Sequence, residues 1–267
     1  MKKRTTLIFL GAVAALCLAF TATKGDRRSG GDNVIPSTTY DELEIPLNPE
    51  GLEETRRSRA SYTVSYNHKT KQPNWVAWIL TADETNGPIN KKDYDFEDDD
   101  DIPDPKGYKS DYYNSGYDRG HLCPAGDNKW DSAAMHDCYL MTNMCPQTSS
   151  MNSGIWNSIE KRCRTWAEKY GEIYIVCGPL FIGTDHKTIG KNKVVVPEAF
   201  FKVVLCMGDY PKAIGYICYN QGQAGSDISD FVKTVDEIEE VTGYDFFSQL
   251  PDSLENHIEG TCDLSLW

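Results

Sequence analysis

The chain has 267 residues, enough for one domain with a sizeable core. Hydrophobic residues make up 40% and charged residues 25%, which excludes a disordered or fibrous chain. Lys and Arg total 27 against 40 for Asp and Glu, a net charge of −13, which argues against a phosphate-rich partner.

The N-terminus reads Met1-Lys2-Lys3-Arg4, followed by an apolar run from Leu7 to Phe20. A charged start before a short apolar run is the pattern of a secretory signal, placed here at residues 1–22. The run is too short to span a bilayer, and no later stretch is long enough, so no transmembrane anchor is expected. Leu16 precedes Cys17 where a lipid-attachment site calls for a small residue, which disfavours lipid anchoring. The expected location is therefore secreted or periplasmic. Removing Lys2, Lys3 and Arg4 takes the charge from −13 to −16.

Residues 23–58 are polar and contain Pro36, Pro46 and Pro49, so they read as a flexible linker or arm. Residues 59–267 read as the folded domain. Ser61–Tyr66 and Trp75–Leu80 are strand-like runs around a polar turn with Pro73. Asp93–Asp101 holds seven acids and reads as a solvated loop. It has no glycine for the sharp turn of a calcium loop. Asp137–Met144 reads as a strand. Asn152–Tyr170 reads as a helix, with Ile155, Trp156, Ile159, Cys163 and Trp166 forming its apolar stripe and Gly171 its stop.

Four strands are expected at Glu172–Val176, Lys193–Val196, Phe200–Met207 and Ala213–Tyr219. A helix capped by Asp227 or Ser229 is expected to run through Glu240, with a last short helix at Leu254–Glu259. Strand runs with few helices between them predict an α+β domain around a mainly antiparallel sheet. Beyond Cys17 there are eight cysteines, an even count that predicts at least one disulfide in an exported chain. Several lie in apolar runs, where a free buried thiol is the alternative.

Three motifs carry chemistry. The first is Asp118-Arg119-Gly120-His121, the second Asn143-Met144-Cys145-Pro146-Gln147, and the third Asn152-Ser153-Gly154-Ile155-Trp156 with Glu160. His121 suits a general base, because unperturbed imidazole titrates at about 6.5. Gly120 permits a close backbone approach beside it. Glu160 and Arg164 lie on one helical face with Asn152, and Arg164 can pair with Glu160 or with phosphate.

In these motifs, in this order, the chain resembles the DNA/RNA non-specific endonucleases, a family that includes endonuclease G. The resemblance extends from about Tyr62 to Glu259. It implies a ββα-metal (His-Me finger) fold with a central antiparallel sheet flanked by helices. It also implies hydrolysis of phosphodiester bonds in DNA and RNA. By that resemblance His121 is the general base on the second strand of the finger. Asn152 is the protein ligand of a divalent metal, Mg2+ first and Mn2+ or another divalent cation as the alternative. Glu160 holds a water of the metal shell, Asn143 orients the finger, Arg119 contacts phosphate, and Asp118 makes a structural hydrogen bond or ion pair.

One departure falls at Lys91, where the family commonly carries a phosphate-contacting Arg. A lysine neutralises phosphate without the bidentate fork. Zinc is the competing metal, because His121, Cys123, His136, Cys138 and Cys145 offer soft ligands, though without a Cys-x-x-Cys pair. The competing function is a catalytically weak or inactive extracellular nucleic-acid-binding protein of the same fold. The expected partners are DNA and RNA, with no stable protein partner inferred and a homodimer compatible with the sequence.

The charge is uneven. From Gly225 onward there are eleven acids and one lysine, while Tyr117–Arg164 holds five acids and five bases. The motif region is therefore neutral within an acidic chain.

Overall fold

The computed structural model describes residues 40–221 and 227–267. The expected signal peptide, Cys17 and the first part of the expected arm lie outside the described residues. Tyr40–Trp267 form one compact unit.

The segment Tyr40–Ser58 corrects the expectation of a loose arm. Leu43 is buried among the core residues, Leu47 bridges to Asp245, and Thr55–Ser58 forms strand β1. The buried Leu43 side chain and the backbone bridge at Leu47, whose side chain is exposed, hold the segment to the domain. The next strands are β2 (Thr63–Asn67) and β3 (Gln72–Thr81), close to expectation. Pro73 sits in β3 rather than in the turn. It falls beside the irregularity at Ser65/Tyr66, where the pairing slips and a missing N–H is tolerated.

Strand β4 (Asp118–His121) pairs antiparallel with β5 (Met144–Gln147) as a separate two-stranded sheet. Between them, helix α1 (Ser132–Cys138) replaces the first part of the strand expected over Asp137–Met144. The side chain of Asp131 accepts from the N–H groups of Ala133 and Ala134, a cap that fixes the helix start. After β5 come a single turn, α2 (Ser149–Met151), a wide π-helical turn over Asn152–Trp156, and helix α3 (Asn157–Tyr170). Gly154 leaves the helical region at φ −93 and ψ −109, so the expected continuous helix is broken just past Asn152. Gly171, at φ 92, ends α3 as expected.

The remaining strands are β6 (Glu172–Leu180), β7 (Thr188–Ile189), β8 (Val194–Val195), β9 (Ala199–Cys206), β10 (Lys212–Tyr219) and β11 (Val232–Lys233). Seven strands form the main sheet in the order β1-β2-β3-β6-β9-β10-β11, with every neighbouring pair antiparallel. The helix expected from Asp227 is instead a short turn at Ile228–Phe231, then β11, then α4 (Val235–Thr242). Thr234 caps α4 through a reciprocal box with Glu237. The last helix is α5 (Asp252–Glu259).

Alternation along the strands gives the sheet two apolar faces. In β9, Phe200, Val204 and Cys206 face α3, while Phe201, Val203 and Leu205 face α4 and α5. The eight described cysteines are all free, which corrects the expected disulfide. Seven are buried and act as small core residues, and the thiols of Cys138 and Cys177 donate to the carbonyls of Met135 and Leu122. The acidic loop is not fully solvated either. Asp99 is buried, with Arg59 and Thr142 on its carboxylate. No helix among the described residues is long and apolar enough to cross a membrane.

Candidate active site

The β4–β5 hairpin packs tightly across its own face. A Cβ on Gly120 would lie 2.1 Å from the Gln147 side chain, so only glycine fits at that place. Asn143, fully buried, ties the finger together. Its oxygen accepts from the Cys123 N–H at 2.9 Å, and its amide donates to the Cys123 and Cys138 carbonyls at 2.8 Å each. The Trp156 indole N–H donates to the His121 carbonyl at 3.2 Å, joining the strand to the wide turn.

A cleft of about 410 Å³ opens over this junction, and Lys91, His121, Asn152, Glu160 and Arg164 all line it. The structure therefore brings these five predicted residues together. The kink at Gly154 changes the helical phase between Asn152 and Glu160, yet both reach the same cleft. Arg119 and Asn143 do not line it. The Arg119 guanidinium lies 4.6 Å from the centre of the Phe96 ring and 5.8 Å from that of Tyr113.

His121 is neutral at pH 7. Burial, and then the Lys91 ammonium, push its pKa down to about 4. Its Nε2 is buried without a hydrogen-bond partner, and the residue lines the cleft. The rings of Phe96 and Tyr139 stand 5.5 and 5.1 Å from the imidazole and fix its plane. Asp118 makes the predicted structural hydrogen bonds. It accepts from Ser149 Oγ at 2.7 Å and from Asn152 Nδ2 at 3.0 Å. The second bond assigns the amide nitrogen of Asn152 to Asp118 and leaves its Oδ1 for another partner.

Arg164 is not the partner of Glu160. Its Nη1 donates to Asp127 Oδ1 at 2.7 Å, and Asp127 also accepts from the Trp78 indole at 3.2 Å. Gly126 makes this crossing possible, because a Cβ there would meet Arg164 Nη1 at 2.6 Å. Burial pushes the Glu160 carboxyl up to about 7, against the pull of Lys202.

Lys202 is the residue the sequence reading missed. It is 1% exposed, in the middle of β9, with its Nζ 4.5 Å from the Trp156 ring centre and 4.8 Å from that of Trp78. The available signal was a lysine at an inward position of the apolar run Ala199-Phe200-Phe201-Lys202-Val203. Lys129 and Lys161 also line the cleft and were counted only as charges. The lining thus carries four cations (Lys91, Lys129, Lys161 and Arg164) and one carboxylate (Glu160). Among the described residues, the one cluster of metal-ligating side chains contains no Cys or His, so the zinc alternative has no assembled site there.

The sequence model of the DNA/RNA non-specific endonucleases matches residues 40–253. The chain belongs to that family. It is 33% identical over 213 residues to a mouse (Mus musculus) protein named mitochondrial nuclease EXOG, covering 74% of this chain and 58% of the relative. It is 34% identical to human mitochondrial endonuclease G over 159 residues, or 56% of this chain and 54% of the relative. With nuclease C1 of Cunninghamella echinulata it shares 33% identity, over 72% of this chain and 82% of the relative. The chain thus spans little more than half the length of the mouse and human relatives. A solved EndoG structure, from its complex with EndoGI, superposes with a TM-score of 0.72 and 28% identity, covering 75% of this chain and 88% of that one. The fold is the α+β ββα-metal nuclease fold expected from the resemblance.

Proposed function

We propose that this chain is an exported endonuclease that uses Mg2+ to hydrolyse phosphodiester bonds in DNA and RNA alike. One observation carries the reading: a neutral imidazole, a free amide oxygen and a carboxylate line a single basic cleft. The donor set fits a hard divalent ion, because Asn152 Oδ1 and Glu160 offer oxygens and a cation would shift the half-ionised Glu160 carboxyl fully to its charged form at pH 7. Asn152 would be the direct ligand, with Glu160 facing it across water. When bound, such an ion neutralises the scissile phosphate and stabilises the departing 3′ oxygen.

The chain's own groups do the rest. The His121 imidazole accepts the proton of the attacking water, and its low pKa keeps it free to do so. Asp118 holds the Asn152 amide in one orientation. Lys91, Lys129 and Lys161 attract the polyanion into the cleft, while Arg164 is held by Asp127 at its wall. Lys202 lowers the cost of ionising Glu160 from behind. Cations that reach phosphate rather than base edges give no sequence preference, which suits cleavage of both nucleic acids. Export rests on the N-terminal Lys-Lys-Arg and apolar run. The mitochondrial names of two relatives make the mature N-terminus, read by mass spectrometry from a secreting host, the check on location.

The test is cleavage of plasmid DNA, single-stranded DNA and RNA with Mg2+, with Mn2+ and with EDTA, using wild type and His121→Ala. Metal-dependent cutting of all three by wild type, lost in His121→Ala, supports the proposal. Binding of nucleic acid without metal-dependent cutting would favour the binding-protein alternative.

A further inference from the structure

Helices α4 and α5 cover the face of the sheet opposite the cleft, packing through Val235, Ile238 and Ile258. Asp236 and Glu239, three apart on α4, share one side of that helix. Glu259, at the end of α5, comes against them. One carboxylate oxygen from each of the three lies within 4.8 Å of the other two. Calcium–oxygen distances are about 2.3–2.6 Å, so oxygens sharing one such ion can be up to about 5 Å apart. The spacing therefore suits a common cation.

Acidic clusters on exposed helices usually hold nothing but water, and spacing alone would not separate this one from them. Glu259 does. It is 5% exposed, and its Oε1 is buried with no hydrogen-bond partner. An unpartnered carboxylate at that depth is costly unless something neutralises it. Among the described residues the largest charge effects on Glu259 come from Glu239, Glu255, Asp236 and Asp245, all negative. Together with burial, the larger cause, they push its carboxyl up to about 9. The one lysine beyond Gly225, Lys233, is paired with Glu237 at 3.0 Å, and that stretch has no arginine. Glu239 is held in place, because its Oε1 accepts the Phe246 N–H at 2.7 Å. Asp236 is exposed, so water has access to complete a coordination shell on that side.

We propose that Asp236, Glu239 and Glu259 bind a hard divalent cation, calcium, that clasps α4 to α5. Three carboxylates supply the full neutralising charge and hard oxygens. Calcium tolerates an irregular, carboxylate-rich shell, whereas magnesium keeps most of its waters and needs a near-octahedral one. The site lies across the sheet from His121 and stabilises the fold without entering the reaction. It does not depend on the nuclease reading.

The test is thermal unfolding and calorimetric titration of the full chain with calcium chloride, after EDTA treatment, for wild type, Glu259→Gln and Asp236→Asn. Wild type should gain roughly 5 °C or more in Tm at calcium a hundredfold above its Kd. Both variants should lose that gain and bind one calcium fewer, which separates this site from any calcium taken up in the cleft. Metal-free Glu259→Gln should melt higher than metal-free wild type, because folding then no longer requires a carboxyl that is ionised in the unfolded chain to take up a proton. Nuclease activity with Mg2+ should be unchanged in both variants. Asp236→Asn keeps the test open should Glu259→Gln fold poorly, because its side chain is at the surface. No calcium response in wild type, or an equal response in all three chains, would overturn the proposal and leave Glu259 neutralised by a proton.

Discussion

The two faces of the central sheet both bury charge, but they handle it differently. On the cleft face the cations and carboxylates are matched. Arg164 meets Asp127 at 2.7 Å, and Lys202 lies between two tryptophan rings while drawing Glu160 toward its ionised form. On the α4–α5 face, the largest charge effects on Glu259 and Glu239 all come from other carboxylates, and the Phe246 N–H donates to Glu239. Buried charge is tolerated on the first face because partners are built in, and on the second it calls for something from solution. A chain with a net charge of −13 can therefore still present a cleft lined by four cations and one carboxylate. Global acidity describes the surface as a whole and says little about the charge of a single cleft.

The largest expected effect separates chemistry from folding on the cleft face. His121→Ala should lower the cleavage rate by roughly 10²–10⁴-fold, the usual range for a general base, with little change in Tm. Initial rates on plasmid DNA and a melting curve check both halves.

Breaking the matched network should be costly in stability. Lys202→Met leaves Asp127 and Glu160 buried with less compensation, and should cost about 3–5 kcal/mol by denaturant unfolding. The same variant should push the Glu160 carboxyl further up, so the Mg2+ concentration for half-maximal rate at pH 7 should rise. An unchanged metal requirement would show that Lys202 acts only through packing.

Asp118→Ala should free the Asn152 amide to rotate. The expected result is a roughly 10-fold weaker apparent affinity for Mg2+, at the lower end of the about 10–100-fold loss usual for ligand-orienting bonds. Titrating activity against metal concentration reads it.

The smallest effect concerns Lys91, which lowers the His121 pKa after burial does. Lys91→Gln should raise that pKa above about 4, by less than one unit for a partly screened charge. The sign follows directly. His121 must be neutral to act, so the rate falls as pH drops through its pKa, and the variant's acid limb should lie at higher pH than that of wild type. The imidazole proton resonances followed by NMR give the same quantity without the reaction.

The sequence revealed the site to the extent that its residues are contiguous. His121, Asn152 and Glu160 sit in short motifs within residues 121–160, on β4 and on the turn and helix after β5, and the family resemblance assigns them to one site. Lys202 comes from a distant strand, and only the sheet register, with Lys202 opposite Cys177, brings it behind Glu160. Its only trace was a charge in an apolar run. The Arg164–Asp127 pair was hidden for a related reason. Asp127 lies outside the short motifs, and the glycine that lets Arg164 approach it does so only in three dimensions.

The fold misses have local causes. The strand expected at Asp137–Met144 followed its apolar content and overlooked the Asp131 cap that commits Ser132–Cys138 to helix. Thr234 and Glu237 formed a readable capping box, but Asp227 offered an earlier one that stops after a single turn. The even cysteine count pointed to disulfides, whereas seven of the eight side chains fill core positions as thiols.

The proposal that His121, with Asn152 and Glu160, makes the cleft a metal-dependent nuclease site for both sugars is tested by cleavage of matched DNA and RNA strands by wild type and His121→Ala, with Mg2+ and after EDTA. Wild type should cut both strands with Mg2+ only, and His121→Ala should cut neither at a comparable rate. Undiminished cutting by His121→Ala, or cutting by wild type in EDTA, would contradict the proposal.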